Sequence, residues 1–253
     1  NLKRKYKMSK QKYSIYPVSV IDTQKPKTKM RGSQKKNGVT QSSRAGFSAF
    51  QTEIGTLCAE FFCRDAYLVF DPFAGWGERH RCCVDASRNY IGYDKSPAAI
   101  KYAKDTFNVE NHLGDSLVDE IPQHNGLITC PPYWNLEKYE GGGLSSLKSW
   151  EGFLNFYKKI LERAAEKADI GSTYCIMVGD WRKNHKFYNL SYETERIMNN
   201  IGFETWDKVI VNQKKIYNYL RMGYNAKKFG YTCKVHQYLL VFKKVKNRKI
   251  SKS

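Results

Sequence analysis

The sequence lacks long apolar runs. None of its segments approaches the roughly 18 uncharged apolar residues that a membrane-spanning helix needs. No short apolar core of a secretory signal is present either, although the chain begins at Asn1 rather than Met, which leaves open whether a leader has been removed. These absences argue against a membrane protein.

Cysteine is also sparse, and its spacing is unpaired. The odd set of seven contains no Cys-x-x-Cys pair and consists of Cys58, Cys63, Cys82, Cys83, Cys130, Cys175 and Cys233. This pattern favours neither a disulfide scaffold nor a metal site, and it indicates a reducing compartment. With 253 residues, 41% of them hydrophobic and 14% aromatic, the chain can bury one sizeable α/β core but is short for two full domains.

Acidic residues are nearly missing from the two ends of the chain. Residues 1–44 hold thirteen Lys and Arg residues against Asp22 alone, and residues 243–253 hold six basic residues and no acid. Residues 45–242 have 24 basic and 23 acidic side chains, so the net charge of +19 belongs mainly to the ends. An AT-rich genome could produce part of this bias, because lysine outnumbers arginine 31 to 12. The concentration of charge at the ends nevertheless favours a polyanionic partner such as nucleic acid.

The middle of the chain alternates short apolar runs with helical patterns. The β-rich runs are 66–71 (AYLVFD), 89–94 (NYIGYD), 109–115, 126–130 (GLITC), 172–178 (STYCIMV), 204–211 and 237–242 (QYLLVF). The helical patterns are 78–88, 96–107 with Ser96 as its N-cap, 150–168 and 191–200. Apolar strands that alternate with helices are typical of an α/β protein with a mostly parallel sheet and helices on both faces.

A glycine turn follows the first of these strands, at 71–77 (DPFAGWG). A dinucleotide-binding fingerprint would have a third glycine at position 80, where this chain has His80. Asp94 ends the second strand, where a carboxylate can accept hydrogen bonds from ribose hydroxyls, and Asp115 ends the third, where one can accept from an adenine amino group. This set suits a nucleoside without phosphates, of which S-adenosylmethionine (SAM) is the natural candidate. The alternative is that these residues are ordinary helix caps and turn residues.

The fourth strand ends in 129–134 (TCPPYW). Two prolines restrict the backbone where it leaves the strand, and this fixes the carbonyl directions at low entropic cost. Tyr133 then offers a rigid face on which a flipped base can stack. The alternative is a proline-rich turn with a buried tyrosine.

Together these motifs resemble the DNA amino-methyltransferases, SAM-dependent enzymes that methylate an exocyclic amino group of adenine or cytosine. Residues 71–77 are similar to their first motif, and 130–133 (CPPY) to their catalytic Asp/Asn/Ser-Pro-Pro-Tyr or -Phe. The resemblance to phage and bacterial site-specific enzymes also covers 16–44, 129–139 (TCPPYWNLEKY), 178–182 (VGDWR) and 236–244 (HQYLLVFKK). Because the cofactor motif precedes the catalytic one, the order resembles the gamma arrangement, with the target-recognition region reduced to loops.

This resemblance implies a seven-stranded Rossmann-like sheet whose last strand, 237–242, is inserted antiparallel. It implies a methyltransferase domain at 46–244 with a recognition loop at about 212–235, flanked by basic segments at 1–45 and 245–253. Residues 47–50 are implied to lie against the methionine end of SAM. The candidate cofactor-binding residues are Phe47, Asp71, Phe73, Ala74, Gly75, Gly77, Asp94 and Asp115, and the candidate catalytic residues are Cys130, Pro131, Pro132 and Tyr133.

The expected chemistry is methyl transfer without a covalent intermediate. Acceptors at the Pro-Pro turn, chiefly the Pro131 carbonyl, would hydrogen-bond the amino protons and direct the nitrogen lone pair toward the sulfonium methyl group. Cys130 departs from the family, because a thiol accepts a hydrogen bond more weakly than Asp, Asn or Ser. The choice between adenine, which is slightly favoured, and cytosine therefore stays open.

Residues 214–234 alternate lysine and arginine with aromatic residues, as a contact with a DNA groove and its phosphates requires, unless they form a solvated loop. The candidate DNA-binding residues are Trp134, Lys214, Lys215 and Arg221. Asp180, Trp181 and Arg182 follow the fifth strand and are read either as pocket wall or DNA contact or as plain loop.

The favoured function is a site-specific methyltransferase that acts on double-stranded DNA in the cytoplasm of a bacterial or phage-infected cell. The alternatives are a SAM-dependent RNA or protein-amide methyltransferase and a catalytically inactive DNA-binding module, for which Cys130 is the argument.

Overall fold

The computed structural model describes residues 17–23, 50–134, 147–213 and 219–245. Ten strands are present in these residues: β1 Val20–Thr23, β2 Val69–Asp71, β3 Tyr90–Asp94, β4 His112–Leu113, β5 His124–Thr129, β6 Ala168–Val178, β7 Trp181–Lys183, β8 Lys186–Tyr188, β9 Phe203–Gln213 and β10 His236–Lys244. The α-helices are α1 Thr52–Leu57, which continues as a π-helix over Cys58–Phe62, α2 Glu78–Asp85, α3 Pro97–Phe107, α4 Trp150–Glu166, α5 Leu190–Asn200 and α6 Tyr219–Phe229. None of the helices in the described residues is long and apolar enough to cross a membrane.

Eight strands form one central sheet in the order β1-β9-β10-β6-β5-β2-β3-β4. β10 lies antiparallel between β6 and β9, and the other pairings are parallel. The predicted α/β class, the seven strands and the antiparallel insertion of the last one are therefore confirmed.

The eighth strand, β1, was not predicted from the sequence. It lies within the basic segment assigned to residues 1–45 and pairs in parallel with β9 at the edge of the sheet, Val20 opposite Ile210. Val20 and Asp22 are exposed and Ile21 is half-buried. Thr23 is fully buried and donates its hydroxyl to the carbonyl of Asn212 at 3.2 Å. A four-residue strand with one buried side chain has too short an apolar pattern to be read from sequence.

Both faces of the sheet are covered, as the continuous apolar strands predict. Alternate residues of β10 enter opposite cores: Leu240 packs toward α4 and α5, whereas Leu239 packs toward α1 and its π-helical continuation. Each such buried Leu contributes roughly 1.5–3 kcal/mol of transfer free energy. Ser96 caps α3 as predicted, accepting a hydrogen bond from the Ala99 amide at 3.3 Å.

The segment predicted as a recognition loop, about 212–235, is partly regular. β9 extends to Gln213, and α6 occupies Tyr219–Phe229. Lys214 and Lys215 lie outside the described residues, and the side chain of Arg221, on α6, does as well. This helix was missed because residues 212–234 contain basic residues without acids, several aromatic residues and Gly223, a composition that resembles a loop.

Candidate active site

Asp71, the last residue of β2, is fully buried, and its carboxylate accepts four hydrogen bonds. Oδ1 accepts from the Phe73 amide at 3.0 Å and from Thr129 Oγ1 at 2.5 Å, and Oδ2 accepts from Arg79 Nε at 2.6 Å and from the Tyr90 hydroxyl at 2.8 Å. These donors occupy the acceptor capacity of a carboxylate. We therefore revise the role of Asp71 from a cofactor ligand to the group that holds the glycine turn against β5.

The Asp71–Arg79 ion pair is buried on both sides. Burial by itself lowers the pKa of Arg79, but the Asp71 carboxylate outweighs it and raises that pKa above its ordinary value. Arg79 also donates to the Phe73 carbonyl at 2.5 Å and lies 4.9 Å from the centre of the Phe50 ring. The pair thus connects the chain before α1 with the glycine turn. Removing one partner of such a pair costs roughly 3–5 kcal/mol, because the other charge remains buried.

The two glycines of the turn are required for different reasons. Gly75 has a φ of +58° and donates its amide to Asp94 Oδ2 at 2.8 Å. Gly77 has a φ of +98°, and a Cβ atom there would come within 2.7 Å of the Ala103 Cβ atom of α3. The turn therefore needs Gly75 for a left-handed backbone and Gly77 also for close packing onto a helix. Just before Gly75, Ala74 is buried and donates its amide to the Tyr93 carbonyl at 2.9 Å.

Asp94 ends β3 beside this turn, as predicted. Its carboxylate is partly buried and accepts the Gly75 amide on Oδ2 and the Ser96 amide on Oδ1, the latter at 2.9 Å. Burial raises the pKa of Asp94, and the two backbone hydrogen bonds oppose that rise. Each oxygen keeps a further lone pair, so the carboxylate can accept a pair of hydroxyl donors.

Asp115 lies one strand further along the same edge, two residues after β4. Lys95 forms a salt bridge with Oδ2 at 2.8 Å, and the Leu117 amide donates to Oδ1 at 3.0 Å. Burial alone raises the pKa of Asp115, but the hydrogen bond and charge of Lys95 prevail and lower it. Asp94 and Asp115 thus occupy the ends of neighbouring strands, because β3 and β4 pair in parallel.

The start of α1 contains a residue that the sequence did not single out. Phe47 lies outside the described residues, but Phe50 is buried against Arg79, and the next residue, Gln51, is 5% exposed. The Oε1 atom of Gln51 is buried and accepts no hydrogen bond. A buried acceptor without a donor costs roughly 1–3 kcal/mol unless a ligand supplies the donor. No sequence motif marks this glutamine.

The Cys-Pro-Pro-Tyr turn follows β5 directly, next to the glycine turn of β2. Thr129, the last residue of β5, donates to Asp71 and so joins the two turns. Cys130 and Pro132 are partly buried, and Pro131 is buried. The predicted catalytic residues and the glycine turn therefore lie at the carboxyl ends of adjacent strands, where parallel sheets bind ligands.

Tyr133 is held on two sides. Its ring stacks on the indole of Trp181, with centroids 5.6 Å apart and planes 21° from parallel. Its hydroxyl accepts a hydrogen bond from Gln237 Nε2, at the start of β10, at 2.5 Å. Trp181 is 7% exposed, and its Nε1 atom is buried without an acceptor. No motif in the sequence marks Gln237. The sequence allows Trp181 to be interpreted either as pocket wall or DNA contact or as plain loop, and its stacking on Tyr133 fits a pocket wall.

Trp134 does not lie at an open surface, in contrast to the prediction that it binds DNA. It is 8% exposed, donates Nε1 to the Leu147 carbonyl at 2.7 Å, and packs on Trp150 and Tyr188 at centroid distances of 5.9 and 5.2 Å. Trp134 therefore anchors the Pro-Pro-Tyr turn in the aromatic core. Asp180 likewise has a structural role, accepting hydrogen bonds from the amide and hydroxyl of Ser191 in the first turn of α5.

No family model matches this chain, and no curated protein matches it in sequence. Solved structures do match its fold. TrmN from Thermus thermophilus has a TM-score of 0.50 at 16% identity, covering 75% of this chain and 49% of that one. The N-methyltransferase NodS from Bradyrhizobium japonicum WM9 has a TM-score of 0.50 at 11% identity, covering 77% and 96%. The structure titled StiE O-MT residues 961–1257 has a TM-score of 0.51 at 9% identity, covering 77% and 73%.

The chain spans about half the length of TrmN and nearly all of NodS. NodS has also been solved in complex with S-adenosyl-L-homocysteine, with a TM-score of 0.50 to this chain. At these identities the likeness concerns the fold and not the substrate. The strand order, the antiparallel β10 and the matched structures together show that this chain has the Rossmann-like α/β fold of methyltransferases.

Proposed function

We propose that this chain is a SAM-dependent DNA methyltransferase that transfers a methyl group to the exocyclic amino group of a flipped base, adenine being favoured over cytosine. The observation that carries the proposal is the position of Tyr133. The Pro-Pro-Tyr turn adjoins the glycine turn, and Tyr133 is fixed there by Trp181 and Gln237. A fixed aromatic face beside a nucleoside site suits the stacking of a flat base.

The residues present fit SAM. The partly buried Asp94 carboxylate has acceptor capacity for the ribose hydroxyls, and the left-handed Gly75 allows the backbone to approach a ligand. The unpartnered Oε1 atom of Gln51 supplies an acceptor for an ammonium group, at the end of the site where the methionine portion is expected. Phe73 and Ala74 lie on the same turn, and we assign them to the wall of the cofactor site. The Asp115 carboxylate already forms a salt bridge with Lys95, so it can accept fewer further hydrogen bonds than Asp94 and suits a single amino donor.

When bound, SAM supplies an electrophilic methyl group on a sulfonium sulfur. The chain's own residues position the nucleophile for it. The Pro131 carbonyl accepts an amino proton and orients the nitrogen lone pair, while Tyr133 stacks on the base. Cys130 fills the place of a small polar residue and adds a weak acceptor. No side chain forms a covalent bond to the base, so positioning and electrostatics supply the rate.

The assignment of double-stranded DNA as the substrate is supported by charge and by the resemblance of the motifs. Residues 1–44 and 243–253 carry most of the net positive charge, and residues 45–242 are nearly balanced as a whole. Within that balanced part, residues 214–234 contain basic side chains and no acid. Segments that carry only positive charge favour binding to a polyanion, because each phosphate contact releases counterions from the nucleic acid. In this proposal Lys214, Lys215 and Arg221 contact DNA, and no metal ion takes part in the reaction.

The test is parallel transfer of tritium from methyl-labelled SAM to duplex DNA, to RNA and to protein. We expect label in duplex DNA, recovered as methylated adenine or N4-methylcytosine after digestion to nucleosides. Label in RNA or protein alone would overturn the DNA assignment but not the methyltransferase assignment. SAM binding without transfer to any of the three would leave a binding module.

A further inference from the structure

A two-stranded hairpin projects from the sheet directly beside Tyr133. β7 and β8 pair antiparallel with Trp181 opposite Tyr188 and Arg182 opposite Phe187. The turn between them, Asn184–His185, has φ values of +49° and +64°, which favour a tight hairpin with the twist of the strands. Trp181 and Tyr188 are buried at the root, whereas residues 182–187 are exposed. The root belongs to the candidate site, and the tip is partly accessible to solvent.

The tip of the hairpin packs against the chain that leads from α6 to β10. The His185 ring lies 3.8 Å from that of Phe229, centroid to centroid. The Arg182 guanidinium contacts the faces of two rings, 5.0 Å from the centre of Phe187 and 4.6 Å from the centre of Tyr231. Lys234, in the chain before β10, places its Nζ atom 5.0 Å from the ring of Phe187 on β8. We name residues 182–187 and 227–234 together the hairpin surface.

The hairpin surface carries positive charge without acidic residues. Its basic side chains are Arg182, Lys183, Lys186, Lys227, Lys228 and Lys234, and neither segment contains Asp or Glu. The nearest acid along the chain, Asp180, is occupied at the N-terminus of α5. No ion pair between described residues involves Arg182, Lys186 or Lys234. Among the described residues, the charges of Arg182, Lys186 and Lys234 are therefore not neutralised by an ion pair.

The ring contacts give Arg182 a defined orientation. Stacking restrains the plane of a guanidinium and leaves its N–H groups at the edge for donation. One of them reaches the carbonyl of His185 at 3.1 Å across the turn. A planar fork at the edge of a stack matches two oxygens of a phosphate group, and the exposed Phe229 offers a neighbouring face for a base or sugar.

We propose that the hairpin surface binds the phosphodiester backbone of duplex DNA next to the flipped base, with Arg182 as its central phosphate contact. This inference rests on the proposed function, and it adds a second binding element to the segment 214–234. Trp181 belongs to the hairpin and stacks on Tyr133. The element that binds the DNA backbone therefore also fixes the ring on which the base stacks. The position of the bound backbone and the position of the stacked base are thereby fixed relative to each other.

The experiment compares Arg182→Ala with Lys159→Ala. Lys159 is a matched control, since it is an exposed cation on α4 whose Nζ lies 5.7 Å from the centre of the exposed Phe156 ring. Binding of fluorescent duplex DNA is measured by anisotropy over a salt series, and SAM binding by calorimetry. We expect Arg182→Ala to bind duplex DNA about five- to tenfold more weakly, with the salt slope reduced by about one, because one phosphate contact is lost. Lys159→Ala should match the wild type, and SAM affinity should not change in either variant.

Failure of this inference and failure of the proposed function give different results. If the wild type methylates duplex DNA and Arg182→Ala binds it as tightly as Lys159→Ala, the hairpin surface is not the contact. If Arg182→Ala weakens binding but the wild type transfers no methyl group to DNA, the inference stands and the proposed reaction fails. Preference of the wild type for duplex RNA of the same sequence would overturn DNA as the occupant. A melting temperature equal to that of the wild type shows that Arg182→Ala is folded.

Discussion

The ring of Tyr133 stacks on the indole of Trp181, 5.6 Å away between centroids, so one face of the proposed base platform is already covered. Trp181 in turn stacks on Tyr188 at 5.6 Å. In the proposed reaction the base stacks on the opposite face of Tyr133. Stacking of two rings in series restricts the side-chain freedom of Tyr133 before any substrate arrives, which lowers the entropic cost of receiving one.

Replacing Tyr133 by alanine should reduce turnover far more than duplex binding. Stacking of a base on an aromatic ring is worth roughly 1–3 kcal/mol and is gained only after the base has flipped. Single-turnover methyl transfer and DNA affinity are measured on the same preparation. Tyr192→Ala, which removes a tyrosine 57% exposed on α5, is the control. Equal turnover for Tyr133→Ala and wild type would remove Tyr133 from the site.

Replacing Trp181 by leucine tests its role as a positioning residue. We expect a lower kcat, because Tyr133 loses its stacking partner, while SAM affinity stays unchanged. Trp181→Phe keeps a ring beneath Tyr133 and should restore much of the turnover. A loss that is equal for leucine and phenylalanine would point instead to the indole N–H, which lacks an acceptor in the structure.

Asp94→Ala should weaken SAM binding by roughly 1.5–3 kcal/mol, because two hydroxyls lose a charged acceptor. Asp105→Ala, which removes an exposed carboxylate paired with Lys101 on α3, should not affect it. Calorimetry gives both dissociation constants. An unchanged value for Asp94→Ala contradicts the assignment of the cofactor site.

The same carboxylate predicts a pH dependence. Burial raises the pKa of Asp94, so it becomes protonated at a higher pH than an ordinary aspartate. SAM affinity of the wild type should therefore fall as the pH decreases through that raised pKa. Asp94→Asn should bind weakly at all pH values and lose this dependence.

Cys130→Ser should retain methyl transfer and increase its rate, because a hydroxyl accepts a hydrogen bond better than a thiol of similar size. The measurement is steady-state transfer at saturating SAM. Loss of methylation in Cys130→Ser with SAM still bound would indicate a nucleophilic cysteine. Covalent trapping of a fluorocytosine oligonucleotide by the wild type would indicate the same, and methylation would then occur at carbon five of cytosine.

The stability of the fold should depend on His124 in mildly acidic solution. His124 is fully buried at the start of β5, where Nε2 lies 2.7 Å from the Tyr174 hydroxyl and Nδ1 lies 2.8 Å from the Pro122 carbonyl. Burial lowers its pKa to about 4 from the ordinary 6.5. Between these values the unfolded chain takes up a proton that the folded chain excludes, so stability is lost as the pH falls from 6.5 toward 4, by up to ~3 kcal/mol. Urea unfolding of wild type and His124→Phe over this range should show a steeper pH dependence for the wild type.

The sequence by itself determined the fold class, because apolar runs that alternate with helical patterns can be buried only in a sheet covered on both faces. It also placed Asp94, Asp115 and the Pro-Pro-Tyr turn at the ends of strands. Parallel strands run in the same direction, so residues that follow their carboxyl ends lie at the same edge of the sheet. Such local patterns need no knowledge of distant contacts.

Only the tertiary structure decided which of these residues are available to a ligand. Asp71 and Asp94 look alike in the sequence, yet one carboxylate is saturated by four donors and the other is half open. Trp134 and Trp181 also look alike in the sequence, because each follows a strand. In the structure Trp134 anchors the Pro-Pro-Tyr turn in the core, whereas Trp181 stacks on Tyr133. Arg182 and Tyr231 are in contact although they are 49 positions apart in the sequence, because β7, β8 and the chain before β10 lie together beside one strand end. Saturation, burial and such long-range contacts depend on atoms from several segments, and no local pattern of residues specifies them.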